Sequence, residues 1–279
     1  MQPSQNEHKE TVAGFGDEWS RFDQSGAGAE ELSRTFDKYF AVFPWDALAK
    51  DARGIDVGCG TGRWARLVAP RVGSLDCVDA SDEALAVATR NLSENKNVSL
   101  TQASVGGLPF ESGTFDFGYS LGVLHHVPDT RAAMQECVRV LKPGAPFLVY
   151  LYYSLDNRPA WYRTVWKASD AVRHVVSRMP HGVRHVVADV VAASVYWPLA
   201  RAARVGEQLG LDVSTVPLAA YRQHSLYIMR NDALDRLGTP LEQRFSRAEI
   251  ERMMQSAGLT KIRFHEGVPF WCAVGFKAS

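Results

Sequence analysis

The stretch Asp56-Val57-Gly58-Cys59-Gly60-Thr61-Gly62 decides the fold of this 279-residue chain. The apolar run 54–57 predicts a short buried strand that ends at this loop, and residues 62–69 are predicted to continue as a helix. Glycine lets the loop turn sharply and lets the backbone approach a ligand without a Cβ clash. The amides at the helix N-terminus favour a ligand with partial negative charge. The stretch therefore predicts a ligand-binding turn, against the alternative of a tight turn without a ligand.

Short apolar runs alternate with helical patterns after this loop. Strands are predicted at 54–57, 74–78, 98–103, 115–121 and 146–153, and helices at 62–69, 81–91 and 129–141. This order requires right-handed crossovers and predicts a parallel sheet with helices on both faces. The pattern resumes with a capping box at Ser246–Glu249, a helix that ends at Gly258, and two strands, 261–265 and 270–276, that are close enough to pair antiparallel. We therefore predict a doubly wound α/β fold with a seven-stranded mixed sheet.

Four segments follow from this pattern. Residues 1–50 are predicted to form an N-terminal helical lid in which residues 1–12 are disordered, and residues 51–154 form the core that binds a cofactor. Residues 155–235 are predicted to be a helical insertion, since their helical pattern is broken by several prolines. Residues 236–279 supply the final helix and strands of the core.

Composition excludes several classes of protein. Lysine plus arginine equals aspartate plus glutamate, at 31 each, which argues against nucleic-acid binding. The four cysteines lack the short spacing of a zinc or redox site, so no metal is predicted. There is no signal peptide and no uninterrupted apolar run of about 20 residues, so we predict a cytoplasmic protein without a membrane span. It is expected to be a monomer or a homodimer.

Asp79 is the second indication of a ligand site. It ends the second predicted strand, 23 residues after Asp56. A carboxylate at this place can accept hydrogen bonds from both ribose hydroxyls of an adenosine, and the alternative is a charge that stabilises the helix beginning at Ser81. The G-x-G-x-G spacing of the first loop differs from the G-x-G-x-x-G of dinucleotide-binding proteins.

Further motifs follow in order along the chain. They are Leu108-Pro109-Phe110, Phe115-Asp116, the stretch Val123-Leu124-His125-His126-Val127-Pro128-Asp129, and Val140-Leu141-Lys142-Pro143-Gly144. Together with the glycine loop and Asp79, they resemble the successive motifs of the class I S-adenosylmethionine-dependent methyltransferases. The resemblance covers residues 50–153 strongly and 246–279 more loosely. It implies an enzyme of the small-molecule type, with a helical insertion before the last helix.

The resemblance also implies roles for individual residues. Gly58, Gly60 and Gly62, with Cys59 between them, would line the methionine part of S-adenosylmethionine, and Asp56 would lie near its amino group. The ribose and the adenine would be held by Asp79, Ala80, Ser104 and Val105, and Leu121 and Gly122 would lie beneath the sulfonium. The family usually has an aspartate where this chain has Ser104, which puts the detail of adenine recognition in doubt.

The N-terminal stretch 14–22 resembles the lid that such enzymes fold over the cofactor. Phe15 and Trp19 would exclude water from the sulfonium, and Arg21 would pair with the cofactor carboxylate. The alternative is ordinary packing of a helix. For a catalytic base, the candidates are His126 at the mouth of the site and His224 in the insertion, with a structural histidine as the alternative at each position.

The insertion is expected to select the acceptor. It carries eight arginines or lysines against four acids between Asp156 and Glu207, and Arg173, Arg178 and Arg184 recur at near-helical spacing. This pattern suits a lid for an acidic or phosphorylated molecule, a helical surface that rests on a membrane to reach a lipid-linked acceptor, or a solvated face or dimer contact.

We therefore expect methyl transfer to a small-molecule acceptor, with oxygen slightly preferred and a C- or N-methyltransferase of a natural product as the alternative. Two rival hypotheses are an NAD-dependent oxidoreductase and a non-catalytic cofactor-binding scaffold.

Overall fold

The computed structural model describes residues 6–24, 26–213 and 215–279 and contains a seven-stranded sheet of order β3-β2-β1-β4-β5-β7-β6. The strands are β1 (Arg53–Val57), β2 (Ser74–Asp79), β3 (Val98–Gln102), β4 (Phe117–Leu121), β5 (Pro146–Tyr150), β6 (Leu259–Phe264) and β7 (Cys272–Lys277). β1 to β5 pair in parallel, and β7 lies antiparallel between β5 and β6. This arrangement confirms the predicted doubly wound mixed sheet.

The helices follow the predicted pattern with shorter bounds. They are α1 (Lys9–Arg21), α2 (Ala29–Tyr39), α3 (Ala65–Val68), α4 (Asp82–Asn91), α5 (Thr130–Arg139), α6 (Ala160–Val176), α7 (His181–Val191), α8 (Trp197–Gln208), α9 (Leu226–Gly238) and α10 (Arg247–Ser256). The side chains of Ser81 and Asp129 cap α4 and α5, and Ser246 and Glu249 form the predicted capping box of α10. The helix predicted at 62–69 begins later because residues 60–64 form turns.

The chain divides into two compact units. The first, which we call the sheet unit, comprises the described residues up to Asp23 together with Leu32–Ser154 and Leu241–Ser279. The second, the helical unit, comprises Gln24–Glu31 and Leu155–Pro240. The helical unit is thus the predicted insertion extended to residue 240, together with a short segment from the N-terminal region.

The N-terminal region departs from the prediction of disorder over residues 1–12. Residues 1–5 lie outside the described residues, but α1 already begins at Lys9, where the His8 side chain accepts a hydrogen bond from the Thr11 amide. Asn6 is buried, donates from Nδ2 to the Asp129 carbonyl at 2.8 Å, and accepts from the Asp129 amide at 2.7 Å. The polar sequence gave no sign of these bonds because their partner lies more than one hundred residues away.

The helical unit contains one long continuous helix. α7, a π-helical turn at Ala192–Tyr196 and α8 together form the stretch His181–Gln208, which is long and apolar enough to cross a membrane by length and composition alone. The sequence did not reveal this helix, because charged residues such as Arg184 and Asp189 interrupt its apolar residues. α7 packs against α9, and Asp189 accepts two hydrogen bonds from Arg230 of α9, at 2.9 and 3.0 Å.

β1 occupies the middle of the sheet and has no room for a side chain at Gly54. A Cβ at Gly54 would clash with the Phe117 ring of β4, and Phe117 itself is fully buried. The strand that leads into the functional loop is thus fixed by packing against its neighbour.

We expect Gly54→Ala to destabilise the protein by about 1–3 kcal/mol, since the added methyl group forces the buried Phe117 ring or the strand to shift. Urea denaturation followed by circular dichroism measures this free energy of unfolding. Gly28→Ala is the matched control, because a Cβ at Gly28 meets nothing within 4 Å, and its stability should change by less than about 0.5 kcal/mol. Equal effects of the two substitutions would contradict the packing argument.

Candidate functional site

A cavity of the sheet unit lies where β1, β2 and β4 end. Its empty volume, including the space open to solvent, is about 960 Å³. The walls include Val57 and Gly58 at the end of β1, Asp79 and Ala80 at the end of β2, and Leu121 at the end of β4. Carboxyl ends of neighbouring parallel strands form the usual crevice for ligands in open α/β sheets. The predicted site residues from three separate motifs are therefore brought together by the topology of the sheet.

The glycine loop adopts a backbone that requires its glycines. Gly58, Gly60 and Gly62 have φ angles of +80°, +53° and +76°, in the left-handed region that side chains rarely allow. Gly58 and Gly60 line the cavity together with Cys59. Gly62, predicted to contact the cofactor, is not among the described lining residues. A Cβ there would lie 2.6 Å from Leu92, so its glycine serves packing of the loop.

Asp79 joins the glycine loop to the next strand. Its Oδ2 accepts from the Gly60 amide at 2.8 Å, and its Oδ1 accepts from the Ser81 amide at 2.9 Å. Burial raises the pKa of Asp79, although the backbone amides of Ser81, Gly60 and Ala80 counteract this effect. Each carboxylate oxygen has a second lone pair, so Asp79 can hold the loop and still accept from a pair of hydroxyl groups.

Asp56 lies below the loop, almost fully buried, and is not among the described lining residues. The pKa of Asp56 is raised to about 8. Burial is the main cause, the Tyr119 hydroxyl acts in the opposite direction, and the charge of Asp79 adds to the increase. Asp56 is therefore mainly neutral near pH 7 in the absence of a cation. A ligand ammonium group nearby would favour its ionised form.

The lid helix α1 covers one side of the cavity. Phe15 and Trp19 both line the cavity, and their rings stack with centroids 6.3 Å apart. The Trp19 indole lies over Gly60, where a Cβ would be 3.3 Å from Nε1. The Phe15 ring also meets His126 edge-on at 4.9 Å. Arg21 is not among the described lining residues; its guanidinium lies over the Phe22 ring, 5.2 Å from the centroid.

The predicted adenine and sulfonium positions also lie on the cavity wall. Ala80, Ser104, Val105, Leu121 and Gly122 all line it. The Ser104 hydroxyl accepts from the Gly106 amide at 3.3 Å, which holds the turn after β3. Cys59 has its thiol pKa raised well above the ordinary value by a hydrogen bond with Cys77 and by burial, so it stays protonated and is a poor nucleophile.

The two neighbouring histidines have different environments. His125 is fully buried, stacks on Tyr152 with centroids 3.9 Å apart, and has its pKa lowered well below the ordinary value by burial and by the charges of His126 and Arg244. His126 lines the cavity, and its Nδ1 lies 2.7 Å from the Leu241 carbonyl oxygen. A carbonyl only accepts, so Nδ1 carries the proton and Nε2 of the neutral ring is an acceptor. Nε2 is buried without a hydrogen-bond partner among the described residues.

His224, the other predicted base, is in the helical unit and not among the described residues that line the cavity. Its Nδ1 lies 2.7 Å from Glu31 Oε1, which also accepts from the Ser225 amide. Sequence reasoning also missed several lining residues, namely Asn6, His8, Thr11, Arg63 and Val123. Two features of the sequence could have shown that a helix begins here: His8, whose side chain caps α1, and the acidic Glu10 in its first turn.

Fold and cavity together define a Rossmann-like protein with a ligand-sized crevice at the carboxyl ends of its parallel strands. Comparison with known proteins narrows this class. Residues 55–149 match the family described as "Methyltransferase domain". A demethylmenaquinone methyltransferase from Staphylococcus aureus is 37% identical over 101 residues, which are 35% of this chain and 42% of that protein. The chain therefore spans less than half the length of the curated relatives it matches.

A solved structure shows the same fold over a longer range. The S-adenosylmethionine-dependent methyltransferase from Aquifex aeolicus superposes with a TM-score of 0.52 at 14% identity, covering 92% of this chain and 96% of that protein. Residues 55–149 therefore match a methyltransferase domain, and the chain shares the fold of this S-adenosylmethionine-dependent methyltransferase.

The residues of the cavity fit S-adenosylmethionine. Asp79 would hold the ribose hydroxyls, Ala80 and Val105 offer an apolar wall to the adenine, and the buried Asp56 would compensate the ammonium group. A Cβ at Gly122 would meet nothing within 4 Å, so there is space at this point for the sulfonium end of the cofactor. We found no group of three or more metal-ligating side chains among the described residues.

Asp56 predicts a pH-dependent stability of the ligand-free protein. Its folded-state pKa of about 8 exceeds the ordinary 3.8, so between these values the unfolded chain loses a proton that the folded protein keeps. Folding is then penalised increasingly as pH rises, by up to about 1.4 kcal/mol per pH unit. We expect the free energy of unfolding of Asp56→Asn, relative to that of the native protein, to rise from pH 5 to pH 8.

Urea denaturation at pH 5, 6, 7 and 8 measures this difference. Asp51→Asn is the matched control because Asp51 is exposed, and it should show no such slope. A constant difference between the Asp56→Asn and native proteins across these pH values would show that Asp56 is ionised in the folded state.

Proposed function

We propose that the protein transfers the methyl group of S-adenosylmethionine to a hydroxyl oxygen of a small-molecule acceptor, with His126 as the general base. The observation that carries the proposal is the environment of His126. Its ring lines the cavity, and its Nδ1 donates to Leu241, so that Nε2 is left as an acceptor without a partner among the described residues. A buried acceptor nitrogen beside a cofactor cavity is suited to take a proton from a bound hydroxyl group.

The residues divide the chemistry among them. When bound, S-adenosylmethionine supplies an electrophilic methyl group on a sulfonium. His126 Nε2 would take the proton that the acceptor hydroxyl group loses as its oxygen receives the methyl group. Phe15 and Trp19 exclude water from this end of the cavity, and the Leu241 carbonyl keeps the His126 ring in one orientation. Positioning of this kind supplies much of the acceleration in such a displacement.

The acceptor is proposed to be apolar and lipid-soluble. The cavity wall includes Val12, Phe15, Val123 and Val127, which suit an apolar molecule. The Staphylococcus aureus relative is named for an acceptor of this type, demethylmenaquinone. Methylation of carbon or nitrogen remains the alternative for this chain, since an acceptor carbon would also use a base.

The acidic-acceptor alternative has less support because its arginines are engaged elsewhere. Arg173 is buried, donates to Asp170 at 2.8 Å and to the carbonyl of Thr239 at 3.0 Å. Arg184 donates to the Met179 and Gly238 carbonyls at 2.6 and 3.2 Å. These bonds hold the helical unit together, so both side chains are structural.

Two measurements test the function. Titration with S-adenosylhomocysteine should show binding, and incubation with S-adenosylmethionine labelled at the methyl group should transfer the label to demethylmenaquinol or related hydroquinones. Mass spectrometry of the product then locates the methyl group on oxygen, carbon or nitrogen. Label on carbon or nitrogen would refute the O-methylation proposal, and cofactor binding without transfer to any acceptor of a broad panel would indicate a non-catalytic scaffold.

His126→Asn should lower kcat by about 10²–10⁴-fold, since it removes the base. Affinity for S-adenosylhomocysteine should change little, because Asn can retain the bond to the Leu241 carbonyl. His224→Asn is the comparison that separates the two histidine candidates: a larger loss of kcat in that variant would assign the base to the helical unit.

A further inference from the structure

The helices of the helical unit carry rows of apolar side chains on their exposed sides. On α6 the row consists of Trp161, Val165, Ala168, Val172 and Val175, at intervals of four and three residues that place them on one side of the helix. Between 50% and 58% of each of the four larger side chains is exposed. This row is distinct from the buried side of α6, where Arg173 and Val176 lie.

The long helix His181–Gln208 shows the same feature. Val183, Val186, Val190 and Trp197 are exposed at intervals of three, four and seven residues, whereas Ala188 is buried. A helix that is apolar all round is normally buried on all sides. Here only 28% of the apolar window is buried in the protein, so the exposed row is apolar surface that nothing in this chain covers among the described residues.

The charges beside these rows have one sign. On α6 and just after it, Arg163, Lys167 and Arg178 form a second exposed row at helical spacing. The only carboxylates between residues 157 and 206 are Asp170 and Asp189. Each is paired with an arginine, Asp170 with Arg173 at 2.8 Å and Asp189 with Arg230 at 2.9 Å. The exposed part of α6 therefore carries an apolar row and, about a third of a turn around the helix, a basic row.

We propose that this surface, which comprises the apolar rows of α6 and α7 with Arg163, Lys167 and Arg178, docks on the face of a bilayer that contains anionic phospholipids. Valine and tryptophan side chains enter the boundary between headgroups and acyl chains, and basic side chains pair with lipid phosphates. The proposal deepens the proposed function and rests on it for one point only, that a lipid-soluble acceptor is taken from the membrane. Membrane binding itself is independent of turnover.

Charge favours an anionic bilayer surface over two alternatives, a second copy of this chain and a transmembrane orientation of the long helix. In a symmetric pair of copies the same surface faces itself, so that the basic rows of the two copies would approach each other. A transmembrane orientation of His181–Gln208 would place Arg184, Asp189 and Arg201 in hydrocarbon and separate Asp189 from Arg230 of α9, at a large cost. An anionic bilayer surface covers the apolar rows and neutralises the basic side chains without breaking either pair.

Flotation of the full chain with extruded vesicles tests the proposal. Vesicles of phosphatidylcholine with about one third phosphatidylglycerol should bind the protein, vesicles of phosphatidylcholine alone should bind it much less, and salt should weaken binding to the anionic vesicles. Arg163→Glu/Lys167→Glu should lower the partition coefficient by at least about thirtyfold, given the contribution of each basic side chain near an anionic surface. Val186→Asp/Val190→Asp should lower it by at least about tenfold.

Arg90→Glu/Lys96→Glu is the control with the same change of net charge on the exposed surface of the sheet unit, and it should retain binding. Circular dichroism and titration with S-adenosylhomocysteine report whether each variant is folded. No binding by the native protein, or equal loss in the control, would overturn the proposal. If membrane-bound protein resists an alkaline carbonate wash, the long helix spans the membrane. If light scattering shows a dimer that Val186→Asp/Val190→Asp dissociates, the surface binds a second copy. Each of these two results would also overturn the proposal.

Discussion

The hydrogen bond from the Gly60 amide to Asp79 Oδ2, 2.8 Å long, joins the loop after β1 to the end of β2. Both partners are set by the parallel pairing of these strands, which aligns Val57 with Val78. The left-handed φ of Gly60 turns its amide towards the carboxylate, and the absence of a side chain leaves room for the Trp19 indole above. One contact thus connects the sheet, the loop and the lid, and the cavity is built around it.

Burial gives the two carboxylates of the site different roles. Asp79 keeps backbone partners and remains at the cavity wall, where it can accept from hydroxyl groups. Asp56 lies behind the wall, and its raised pKa makes it a group whose charge depends on what is bound nearby. The same principle separates His125 from His126: complete burial keeps the first neutral, while the second has one fixed nitrogen and one acceptor beside the cavity.

The sequence predicted the sheet, its order of elements and much of the cavity wall, because these depend on local patterns. Glycines at alternate positions after an apolar run, an acid at the end of the next strand and caps such as Ser81 and Ser246 are signals that a few neighbouring residues carry. Its errors concern contacts distant in sequence. Asn6 was placed in a disordered segment because its two bonds are made with Asp129.

By itself the sequence determined the doubly wound fold and the place of the cavity, since the spacing of the glycine loop and Asp79 is a property of the chain and parallel strands bring such residues to one edge. Only the tertiary structure decided which nitrogen of His126 is the acceptor, because the Leu241 carbonyl that fixes it comes from beyond the insertion. It also decided that Arg173 and Arg184 are structural, whereas Arg163 and Lys167 lie exposed. Helical spacing defines the sides of a helix, but packing against other elements selects which side is buried and which charges are paired.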